Sequence, residues 1–331
     1  MVSIHTLTAS RSNHISAFAI GLLVGAITLA GPLRAEDTAS DGGSLSVELD
    51  LGAFSDSQIG KQLIEAGTIL AADEMDKDPE EAMEALVKSI GFDPFEQQAR
   101  LTAVISDLED PVDGLQLALR LKNTTGNLEG LLLAAPGYRS EKHGEHTIHA
   151  VSLDDEEVFI AFHVSSSGER RVLASGTKSG IAQSLDSVNG RSASDNTSWK
   201  MPAGQFMNVK ILSLPNELLD ETPLTTISQM VSGTSLSLGE ESDDLVIRVT
   251  LVAADGEKAT QIQQLAQGAV AMVGLFKDEI RDELDEEVSR GVIPVLDQIR
   301  VERQDNVINI QTRIPQALVT QFLREEADLP L

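Results

Sequence analysis

Apolar and polar residues alternate strictly from residue 45: Leu45, Val47, Leu49 and Leu51 fall on one side of an extended chain, the period of a half-buried strand. Ser55 then offers a helix cap, and Ile59, Leu63, Ile64 and Leu70 recur at helical spacing. An acidic stretch from Asp73 to Glu81 leads into a second helix through Leu86 and Ile90, ended by Gly91 and Pro94. Strands are expected near 99–106 and 114–121, about the turn Asp110-Pro111-Val112-Asp113-Gly114. A short helix near 126–135 comes next. It precedes a hairpin of 146–152 and 158–164, a strand at 171–174 and a helix near 177–188.

Residues 189–205 are rich in Ser, Asn, Gly and Asp and read as a linker. The pattern restarts with a strand at 206–214, a short helix near 223–231, and strands near 234–239 and 244–252. Gly239-Glu240-Glu241-Ser242-Asp243-Asp244 spans the turn between the last two. The longest helix is predicted over 257–289, its face carried by Ile262, Ala266, Ala269, Val273, Phe276 and Ile280. At about 1.5 Å per residue it would extend roughly 50 Å. That face is expected to cover the chain's own sheet, leaving the acidic end 278–287 in solvent. A hairpin near 298–303 and 307–312 and a last helix beginning at Pro315 close the chain.

Short turns between adjacent strands favour antiparallel pairing over parallel winding. The expected fold is therefore α+β, in two domains, 44–188 and 206–331, each an antiparallel sheet covered by helices. The two halves share a similar order of elements, which suggests a diverged internal duplication.

The first 35 residues hold no acidic side chain, although the whole chain has 52 acids against 25 bases and a net charge of −27. Arg11 precedes an apolar run from Ile15 to Ala30, shorter than the roughly 20 residues a membrane-spanning helix needs. Residues 1–35 read as a signal peptide cleaved after Ala35, and 36–43 as a flexible mature N-terminus. The product is expected to be exported, periplasmic or secreted, with no membrane insertion once the leader is gone.

Loss of the leader removes Arg11 and Arg34 and no acid, which makes the mature chain more negative still. Such a surface repels nucleic acid and anionic lipid, and points to cations or a basic protein surface as partners. With no cysteine, disulfides, thiolate metal sites and cysteine nucleophiles are excluded. One Trp and one Tyr leave little aromatic surface for stacking on sugars or bases.

The histidines His143, His146, His149 and His163 are the densest titratable cluster. If residue 150 opposes 160, His149 and His163 share a face, and Glu145 or Glu157 would complete a nitrogen and oxygen metal site. The plainer expectation is a set of strand histidines that hold no metal tightly. Glu240, Glu241, Asp243 and Asp244 crowd one turn, where extracellular calcium is conceivable but a solvated turn is the commoner outcome. Ser175-Gly176-Thr177-Lys178 and Ser194-Asp195-Asn196 match strings of serine β-lactamases, without the later Lys-Thr-Gly strand, and are read as coincidence. Asn123 and Asn196 stand in glycosylation acceptor strings. No phosphate loop or dinucleotide fingerprint occurs, so no cofactor is expected.

These features favour a non-catalytic, envelope-associated or binding protein. The alternatives are a carrier of an apolar small molecule and a hydrolase whose residues are scattered beyond recognition.

Overall fold

The computed structural model describes residues 44–75, 99–108, 114–122, 128–133, 137–153, 156–165, 168–188, 204–213, 230–277 and 293–326, with isolated positions between them. The segment 1–43, Leu86 and Ile90 of the expected second helix, the turn 110–113, residues 189–200 of the expected linker, the helix near 223–229 and the stretch 278–292 lie outside the described residues, as do both glycosylation strings.

Among the described residues, twelve strands form one sheet. They are β1 (Ser44–Asp50), β2 (Arg100–Ile105), β3 (Leu115–Leu121), β4 (Arg139–His143), β5 (His146–Leu153), β6 (Glu156–Val164), β7 (Arg170–Ser175), β8 (Gln205–Ser213), β9 (Val231–Glu241), β10 (Asp244–Ala253), β11 (Arg300–Gln304) and β12 (Val307–Ile314). Their order is β11-β12-β10-β9-β8-β1-β2-β3-β7-β6-β5-β4, and every pairing is antiparallel. The α+β class with antiparallel strands is thus observed, but as one sheet in place of the two expected. The join is β1, which pairs with β2 on one side and with β8 on the other.

Directly opposed residues of an antiparallel pair share a face, so the registers carry one face across the whole sheet. Leu45 opposes both Ile105 and Ile211, Ile211 opposes Thr234, and Val209 opposes Leu236. Leu236 opposes Val249, which opposes Ile310. In the other direction Ile105 opposes Leu115, and Leu117 opposes Ala174, which opposes Ile160. This face is apolar on nearly every strand. The opposite face carries Glu48, Asn208, Ser237, Arg248 and Arg120, and becomes apolar only toward β5–β7.

Among the described residues, six helices with defined bounds accompany the sheet: α1 (Leu51–Asp56), α2 (Gln58–Met75), α3 (Leu128–Leu132), α4 (Lys178–Val188), α5 (Gly256–Leu275) and α6 (Gln316–Glu326). Helix α5 lies on the apolar face, where Ala259 and Ile262 join Ile211, Val231 and Ile308 in a buried cluster. Helix α4 lies on the opposite face, where Ile181 and Leu185 meet Ile148, Ala161 and Leu173. Phe54 of α1 packs on the central cluster of Leu45, Ile105, Phe206, Val209 and Leu236. Each fully buried Leu or Ile contributes on the order of 1.5–3 kcal/mol. Among the described residues no helix is long and apolar enough to cross a membrane.

Local chemistry explains the element ends. The cap of α2 is Ser57, not Ser55: its hydroxyl accepts from Gly60 N at 2.8 Å, while the Ser55 hydroxyl donates back to Gly52 O. Asp255 caps α5 by accepting from Lys258 N, and the Thr177 hydroxyl accepts from Gly180 N at the start of α4. The β9–β10 hairpin turns through Ser242 and Asp243, both at positive φ, as a two-residue turn that matches strand twist requires.

The expected long-helix face is corrected in part. Only its first turns reach the sheet: Ala259 and Ile262 are 0% and 4% exposed, whereas Phe276 is 47% and Leu275 80% exposed. The second half of α5 therefore does not cover the chain's own sheet, and Ile280 lies outside the described residues.

Candidate functional site

Two features of the structure carry chemistry, the apolar sheet face and the histidines of β4–β6. On the apolar face, Leu117 and Leu119 of β3, Val172 and Ala174 of β7, and Ile160 and Phe162 of β6 are all half-exposed. Charge-free strand positions that are neither polar nor buried form a surface suited to apolar matter.

His149 stands at one end of this face and is 2% exposed. Its Nδ1 lies 3.1 Å from the Tyr138 hydroxyl, and its Nε2 3.3 Å from Glu129 Oε1 on α3. A carboxylate can only accept, so Nε2 bears the proton and Nδ1 accepts from Tyr138. Phe162 packs edge-on against the ring with centroids 5.7 Å apart. Burial holds the imidazole below the ordinary histidine range, against the opposing pull of Glu129. The result is a neutral, fully satisfied histidine that ties α3 and Tyr138 to β5.

His163 is on the other face. The register sets Ala150 opposite Phe159 and His149 opposite Ile160, not 150 opposite 160, so the two histidines do not share a face. A one-residue change of register turns every side chain over. The cause is the β5–β6 connection, in which Leu153 opposes Glu156, leaving two residues in the loop where five were expected. Glu157 forms an ion pair with Arg139. Among the described residues, no three His, Asp or Glu side chains converge on a metal position.

His163 instead meets His146, with ring centroids 5.4 Å apart. Its Nδ1 is buried without a hydrogen-bond partner among the described residues. Burial first, then the neighbouring His146 and Arg171, hold its pKa down, against Glu169.

Four of the remaining candidates, Glu240, Glu241, Ser175 and Lys178, have structural occupations. The Glu240 carboxylate accepts from the backbone of Gln58 and Ile59, and Glu241 pairs with Arg248 and Arg313. Ser175 is buried and donates to Leu115 O at 3.0 Å, and Lys178 pairs with Glu141 at 2.8 Å, so the lysine is turned away from the serine. Ser194 lies outside the described residues.

Tyr138 and Glu129 were not singled out by the sequence. The one signal available was that Tyr138 is the chain's only tyrosine, placed just before a strand whose charged residues hide its nature.

Fold and site define an α+β protein built on a single open antiparallel sheet with one apolar face. No family model and no curated protein matches the chain. Among solved structures it is similar to crystal forms III and I of TP0453, at 10% and 9% identity with TM-scores of 0.37 and 0.38. Both comparisons cover 89% of this chain, and 99% and 98% of the TP0453 chains.

Proposed function

We propose that this chain is an exported, non-catalytic binding protein whose apolar sheet face holds an apolar ligand of the acyl-chain class. The observation that supports this reading is the row of half-exposed apolar residues on β3, β7 and β6, on a sheet whose apolar face runs through strands of both halves. Water is a poor neighbour for such a surface, and an aliphatic chain laid across the strands would release it. The acid-free leader 1–35 supports export, and its removal would give an intact mass starting near Glu36.

The test compares Leu117→Asn, on the apolar face, with Thr102→Asn, on the opposite one. Protein stripped of lipid by organic extraction is titrated with a fluorescent fatty acid, and thermal melts confirm that both variants fold. Saturable binding lost only in Leu117→Asn is the expected result. Absence of binding by the unmodified chain, or equal binding by both variants, would defeat the reading.

A further inference from the structure

Three histidines stand side by side on three neighbouring strands. His143 of β4 directly opposes His146 of β5. The β5–β6 register, in which Ile148 opposes Ala161, carries on to set His146 opposite His163, and the 5.4 Å between their rings agrees. His163 in turn opposes Arg171 of β7. All lie on the face away from the apolar ligand surface, so this site is independent of the function proposed above.

The geometry points to a transition-metal site built on the two facing imidazoles of His146 and His163. Directly opposed positions on antiparallel strands bring side chains to within about 5.5 Å, near enough for two imidazoles to chelate one ion. The buried Nδ1 of His163 has no hydrogen-bond partner among the described residues, and an unpaired buried nitrogen is costly unless a ligand satisfies it. Arg171, which opposes His163, is engaged by Glu169 at 2.8 Å, so its charge opposes a metal less than its position suggests. Neutral imidazoles suit copper(II), zinc and nickel(II), and are poor ligands for calcium or magnesium.

The experiment uses the mature chain, dialysed free of metal and titrated with Cu2+, with Ca2+ as the hard-cation comparison. Saturation at one Cu2+ per chain is expected, with nitrogen hyperfine structure in the electron paramagnetic resonance spectrum and no uptake of Ca2+. The double variant His146→Ala/His163→Ala should lose that binding. In the unaltered protein, Cu2+ should shield His146 and His163 from diethyl pyrocarbonate while His149 is unaffected, a readout that needs no variant to fold. Absence of stoichiometric uptake, uptake unchanged in the double variant, or no shielding of these two residues would each overturn the assignment.

Discussion

The carboxylate of Glu240 reaches across the sheet to Ile59, accepting its backbone N–H at 2.9 Å and that of Gln58 at 3.1 Å. With the Ser57 hydroxyl on Gly60 N, three open donors at the start of α2 are satisfied, two of them by a residue from the other half of the chain. A negative group there is also favoured by the helix dipole. Glu240→Ala is expected to lower stability by about 1–2 kcal/mol, and Glu240→Gln by less. Urea unfolding measures both, and an unchanged midpoint for the alanine variant would show that the cap contributes nothing.

Gly60 is tightly confined in the same corner. A Cβ built there would sit 1.7 Å from the carbonyl oxygen of Phe54, which is backbone and already accepts from Ser57. Gly60→Ala is expected to cost about 3 kcal/mol, although alanine normally favours a helix over glycine. Gly268, with nothing within 4 Å of its Cβ position, should instead gain stability on the same change, by about 0.5–1 kcal/mol. The pair of melts has opposite signs.

Helix α5 separates sharply into docked and undocked parts. Ile262→Ala, at a site 4% exposed, should destabilise by about 2–5 kcal/mol. Phe276→Ala, at a site 47% exposed, should cost less than about 1 kcal/mol. Equal losses in the two variants would mean that the end of α5 is packed after all.

Stability should fall in mild acid because of His149 and His163. Burial lowers both below the ordinary value of 6.5, so just under that pH the unfolded chain binds more protons than the folded one. Their contribution is complete above about pH 6.5 and is lost as pH falls through the folded values. The melting temperature should be level above that point and decline below it. His149→Gln should flatten part of the decline, and a slope unaltered by this change would assign it to other groups.

Much of the strand pattern was legible because one face of the sheet is apolar. The alternation of Leu45, Val47 and Leu49 marked a real strand. Arg139–His143 escaped notice because an edge strand gains from charge, which discourages pairing with other chains, and charge erases the alternation. Pairing of β1 with β8 was not legible either: nothing local tells Leu45 that it will oppose Ile211. The misplacement of His163 came from loop length, since two residues in place of five invert the parity of the hairpin. For Phe276 the helical period was right, but periodicity does not say where the sheet beneath the helix ends.

Because β1 is an inner strand, the chain makes it first and completes it late. As the polypeptide is made, β1 can pair with β2 once Arg100–Ile105 has followed it, yet the other edge of β1 stays bare until Gln205–Ser213 is also made. During that interval Leu45, Val47 and Leu49 present an apolar ladder with open amides and carbonyls, a template for any neighbouring nascent chain. The order of synthesis thus leaves one edge of β1 open to intermolecular pairing until β8 exists. A chaperone that shields strand edges would be needed only until β8 arrives.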